Sequence, residues 1–191
     1  MDKQLLFMKR KFYYMILVLF ILRALDLFLT YLYIPNLSKE YNPIVSIFGA
    51  SWFDFISIQL LLLMIIAFFT YFYFHYPSVK VTEKNLNFTD FIYCFFYGKP
   101  KPWPQRMFSS PKNFTPHMIF NGFMFASSSI FVSLFAIINN YLLIQNSVWY
   151  TQFLIKNYRL FFPVIFLLSI ICSFLLFFKR QYSKYLLQYD N

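Results

Sequence analysis

Four apolar runs constrain this chain more than any other feature: Phe12–Ile34, Ser51–His75, His117–Ile144 and Tyr158–Phe178. Each reaches the roughly 20 residues that a helix needs to cross a bilayer core. Without water in that core a spanning segment must satisfy its own backbone, and continuous apolar runs do so as helices, whereas a β-barrel would alternate. The sequence therefore predicts an all-α fold, an integral membrane four-helix bundle built as a single domain over residues 1–191. Composition agrees: 60% of residues are hydrophobic and 13% charged, more apolar surface than a soluble domain of this length hides. The first run is too long for a signal-peptide core and no small-residue cleavage site follows it, so it is read as an uncleaved span.

Residues at the run ends carry start and stop signals. Thr115-Pro116 has the form of an N-cap and first helical residue, and Asn42-Pro43 predicts another helix start. One helix from Pro43 to His75 would measure roughly 50 Å, too long for a single crossing, so a break is expected near Gly49. Pro163 is placed in the first two turns of the fourth helix, where proline costs least.

The net charge of +10 comes from 17 Lys and Arg against 7 Asp and Glu. Most of the basic residues fall in three clusters: Lys3, Lys9, Arg10 and Lys11; Lys80, Lys84, Lys99, Lys101, Arg106 and Lys112; Lys179, Arg180 and Lys184. A four-span chain puts all three clusters on one side, and the positive-inside rule makes that side cytoplasmic, both termini included. The cell membrane is the expected location. Such residues attract anionic lipid, which explains the basic surface without nucleic acid as a partner.

Within the connection 76–116, Phe91–Tyr97 is an aromatic segment that Asp90 is expected to cap and Gly98 to end, lying in the membrane interface because it is too short to cross. Lys99–Pro104 reads as a stiff extended connector with Trp103 at the headgroups, in preference to an SH3-type ligand. Cys94 and Cys172 are expected as reduced thiols on the cytoplasmic side. His75 and His117 do not make a metal site by themselves, and neither metal nor cofactor is expected. The strings at Asn36, Asn87 and Asn113 that match glycosylation acceptors are read as chance.

Charge inside a span is expensive and marks a partner or a site. Arg23, Asp26 and Thr30 share one face of the first helix. Their structural reading is a neutralised pair, with Thr30 bonding a nearby carbonyl. Asp26, Glu40, Asn42 and Asp54 also approach one depth, with Ser57 and Gln59 nearby, and three carboxylates with an amide suit a hard cation or a proton relay. Arg23 opposes the cation reading by occupying one carboxylate, while Glu40 and Asn42 also suit helix initiation.

Asp26-x-x-x-Thr30, a short loop and Glu40-x-Asn42-Pro43 before a second apolar span resemble a family of small multi-pass bacterial and archaeal membrane proteins. Asp-x-x-x-Thr and Glu-x-Asn-Pro are that family's recurring marks, and the resemblance covers residues 15–75. The four-span layout is similar too. Family members often carry a Lys in the second span, where this chain has Gln59. The resemblance implies no reaction.

In the third span Gly122, Ala126, Ser129 and Ser133 form a small-residue stripe, expected to pack against Ser169, Cys172 and Ser173 of the fourth or to mediate homo-oligomer formation. Asn139 and Asn140 are placed to cap or bridge. No nucleophile with a base, metal motif or phosphate loop is present. The leading expectation is a non-enzymatic scaffold or accessory subunit with a membrane partner. A small transporter or ion- or proton-handling site, and an intramembrane lipid-acting enzyme, are the alternatives.

Overall fold

A computed structural model describes residues 3–37, 49, 51–76, 79–102, 105 and 113–189. Among them are five helices: α1 (Lys3–Tyr33), α2 (Trp52–His75), α3 (Phe88–Tyr97), α4 (Thr115–Ile144) and α5 (Val148–Tyr189). Four are long and apolar enough to cross a membrane, over Met8–Tyr33, Trp52–His75, Thr115–Ile144 and Leu160–Tyr189. Their apolar faces stay exposed, Leu17, Phe28, Leu61, Met64 and Leu167 among them, as lipid-facing residues must. The chain is a multi-pass membrane protein by this architecture.

The bundle is built around α4, which packs against α1, α2 and α5. Phe12 of α1 meets Tyr71 and His75 of α2, while Tyr31 meets Trp52, so α1 and α2 run antiparallel. Arg180 of α5 donates to the Tyr73 hydroxyl of α2 at 3.0 Å, near where Phe12 meets Tyr71 and His75, so the start of α1 and the end of α5 share one side of the bundle. That side of the bundle is called the termini end, and the opposite side the far end.

Local chemistry sets the boundaries. Gly49 takes φ +61, a left-handed conformation outside the helical range, and α2 starts behind Ser51. The expected helix start at Asn42-Pro43 lies outside the described residues. Asn87, not Asp90, caps α3: its Oδ1 accepts from Asp90 N at 2.8 Å, and Gly98 ends the helix at φ +85. Thr115 does not cap α4. Phe114 holds the cap position without a side-chain bond, and Asn113 Oδ1 accepts from Thr115 N instead. Pro163 does not open the last helix either, because α5 begins at Val148 and passes through it. Phe161, two residues before the proline, meets Phe135 of α4 and Phe153 edge-on.

The aromatic segment Phe88–Tyr97 docks into the protein. Phe91, Cys94 and Phe95 are buried with Ile119, Phe177, Phe178 and Tyr185 in the largest core cluster. Aromatic edges there meet faces, as at Phe95–Phe178 (5.7 Å, 84°), the geometry that ring quadrupoles favour. The segment ahead of α3 is tied to α5 by a tyrosine ladder. Tyr182 donates to Leu86 O, Tyr185 to Glu83 O, and Tyr189 to Val81 O, all at 2.9–3.0 Å. The region of Trp103 lies outside the described residues.

At Gly122 the small-residue stripe of α4 lies against α2. A Cβ on Gly122 would collide with the Phe69 carbonyl, and Thr70 Oγ1, fully buried, lies 3.5 Å from the Gly122 carbonyl. Ala126 and Ser133 are buried, and Ser129 is half-buried. Contact with α5 uses a neighbouring face: Ser128 donates to Ser173 at 3.1 Å.

Candidate functional site

The polar residues of α1 meet those of α4 near the far end. One helical turn separates Arg23 from Asp26, and Nη1 donates to Asp26 Oδ2 at 3.2 Å. Thr30, one turn further on, donates from Oγ1 to the Asp26 carbonyl at 2.9 Å. The hydroxyl thereby keeps a lone pair for a donor from α4. Asn140 supplies that donor: its Nδ2 lies 2.9 Å from Thr30 Oγ1 and 3.1 Å from Asp26 Oδ1.

The chain of bonds continues into α5. Asn139 Nδ2 donates to Asn140 Oδ1 at 3.2 Å, and Tyr150 donates from its hydroxyl to Asn139 Oδ1 at 2.7 Å. Burial raises the Tyr150 phenol, which keeps it the donor its neighbour requires. Thr30, Asn139 and Tyr150 are buried, while Arg23, Asp26 and Asn140 are half-buried. Six side chains from three helices are linked in one network, and each Asp26 carboxylate oxygen has a donor.

Other expected site residues stand elsewhere. Asp54 is exposed and closes a capping box, its Oδ2 accepting from Ser51 N at 3.0 Å and Ser51 Oγ at 2.7 Å. The carboxylate thus serves the start of α2, where a negative charge complements the helix dipole. Glu40 and Asn42 lie outside the described residues. Among those described, no group of three or more His, Cys, Asp or Glu side chains is placed to hold a metal.

Three network members carried weak sequence signals. Tyr150 precedes the fourth apolar run, and nothing in its spacing ties it to Asn139. Asn139 and Asn140 announce a bridge only once α1 and α4 are known to be neighbours.

Gln59 of α2 is 5% exposed, and its Oε1 has no hydrogen-bond partner among the described residues. An unsatisfied buried acceptor opposes folding, so Gln59→Leu is expected to leave stability unchanged or raise it by about 1 kcal/mol in detergent unfolding. A loss of similar size would reveal a partner for the amide.

No family model, curated protein or solved structure matches this chain.

Proposed function

We propose that this protein is a non-enzymatic scaffold or accessory subunit of the cell membrane, with both termini and the connection 76–116 on the cytoplasmic face. The observation that carries the reading is the closure of the polar network. Asp26 has Arg23 on one oxygen and Asn140 on the other, and Asn140 passes its own acceptor to Asn139. A carboxylate engaged in this way ties α1 to α4 and is poorly placed to take up and release an ion. The motif Asp26-x-x-x-Thr30, and with it the kinship to the Asp-x-x-x-Thr family, is part of this proposal as a helix-joining device. The three basic clusters support the orientation.

The test separates a structural network from a working site. Asp26→Asn and Glu40→Gln are introduced into a host whose deletion phenotype is known, and membrane abundance is measured beside the phenotype. The scaffold reading predicts that the phenotype follows abundance, with Asp26→Asn lowering both. Full abundance with a lost phenotype would instead support transport or lipid chemistry at these carboxylates.

A further inference from the structure

A small pocket of about 40 Å³ opens between the last turns of α5 and the segment ahead of α3. Val79, Val81 and Phe91 give it an apolar lining. Its polar lining comes from Gln181, Lys184 and Gln188, which recur at three and four residues and so share one face of α5. These residues lie beyond the apolar run that ends at Phe178. Tyr185 also borders the pocket, but its hydroxyl is committed, accepting from Leu86 N at 3.0 Å and donating to Glu83 O at 2.9 Å. The tyrosine ladder thus holds the two walls together without a ligand, and a site formed in advance spares a ligand the cost of ordering it.

Gln181 is the unusual member of this lining. It is only 8% exposed, yet its amide makes no hydrogen bond to any described residue. A buried amide left in this state costs about 1–3 kcal/mol, which a ligand in the pocket would recover. Lys184 makes no ion pair among the described residues either. Along the facing segment Lys80 and Lys84 outnumber Glu83, so the local field favours an anion. An ammonium and two primary amides supply the charge and the N–H donors that a carboxylate accepts. Size narrows the choice further: at about 10–15 Å³ for each water-sized group, the pocket admits about three heavy atoms. A carboxylate has that number and a phosphate exceeds it. Lys184 and Gln188 are exposed, so the rest of the ligand leaves on their side.

We propose that Gln181, Lys184 and Gln188 form a binding pocket for the carboxylate of a monocarboxylic acid, either a short free acid or a fatty acid. The pocket depends neither on the scaffold role nor on the orientation.

Carbon-13 line widths of carboxyl-labelled acetate and octanoate test it, with the full chain in neutral detergent and empty micelles as the reference. Acetate should broaden in the presence of the protein, while carbonyl-labelled acetamide, its neutral counterpart, should not. Stronger protein-dependent broadening of octanoate would assign the site to a fatty acid, and equal broadening to a short free acid. The effect should weaken as sodium chloride is raised. Lys184→Gln and Gln181→Leu should each lower acetate affinity about tenfold, as loss of a hydrogen bond to a charged group does, and Lys99→Gln should leave it intact. If Gln181→Leu fails to fold, Gln188→Leu at its exposed position should still weaken acetate several-fold. No broadening beyond that of empty micelles, equal broadening of acetamide, displacement of acetate by equimolar inorganic phosphate, or unchanged affinity in Lys184→Gln would each overturn the pocket.

Discussion

Gly122→Leu is expected to be the most damaging single substitution in the bundle. At this position α4 lies against the backbone of α2: a Cβ would fall on the Phe69 carbonyl and crowd Tyr73 Cβ. Backbone atoms cannot rotate aside as a side-chain tip can, so relief requires the two helices to separate. Separation would also open the contacts of Phe69 with Phe125 and of Tyr73 with Phe123 and Phe177. Overpacking a core commonly costs 1–3 kcal/mol, and a collision with backbone belongs at or above the upper figure, about 3 kcal/mol. Unfolding in mixed detergent micelles, followed by circular dichroism, reads this directly. Gly122→Ala, which adds only the colliding Cβ, should fall between wild type and Gly122→Leu. Wild-type stability in both would mean that α2 and α4 do not approach at this point.

Asn140→Leu is the second large effect. It removes the donor from Asp26 Oδ1 and from Thr30 Oγ1, together with the acceptor for Asn139 Nδ2. Thr30 keeps its bond to the Asp26 carbonyl, so its hydroxyl is not orphaned. The carboxylate oxygen and the buried Asn139 amide are. Leaving such groups without partners costs about 1–3 kcal/mol each in soluble proteins, while interhelical hydrogen bonds in membranes average nearer 0.6 kcal/mol. A loss of about 2 kcal/mol is expected, with membrane abundance falling in parallel. Thr30→Val should cost less, because Asn140 retains Asp26.

Much of the fold is legible from hydropathy, because lipid imposes length and continuity on every span. The turn at Gly49 is legible too: a helix from Pro43 to His75 exceeds one crossing, and glycine reaches φ +61 at little cost. Helix faces are harder to read. Gly122 marks a close contact, but a small residue does not say which neighbour approaches, and it is α2 that lies against it. Proline is similarly ambiguous: Pro163 suggests a helix start, yet α5 runs through it from Val148. Asp90 and Thr115 both have capping side chains, and Asn87 and Asn113 accept the bonds instead. The roles of the tyrosines at 182, 185 and 189 are not legible, since their partners are backbone carbonyls nearly a hundred residues away.

The candidate site divides in the same way. Arg23, Asp26 and Thr30 are visible as a set because helical spacing puts them on one face. Their partner Asn140 and the extension through Asn139 to Tyr150 depend on helix pairing, which local sequence does not encode. Asp54 shows the converse error: proximity in depth suggested a shared cavity, while its local chemistry with Ser51 governs the contact it makes.

A double-mutant cycle between Asp26 and Asn140 tests most directly the claim that this network joins the bundle. Asp26→Ala, Asn140→Ala and the double variant are unfolded in the same mixed micelles. If the two side chains act through each other, the double variant should lose less than the sum of the singles, with a coupling energy of about 1 kcal/mol. Additive losses, agreeing within about 0.3 kcal/mol, would show that Asp26 and Asn140 contribute independently and would contradict the account.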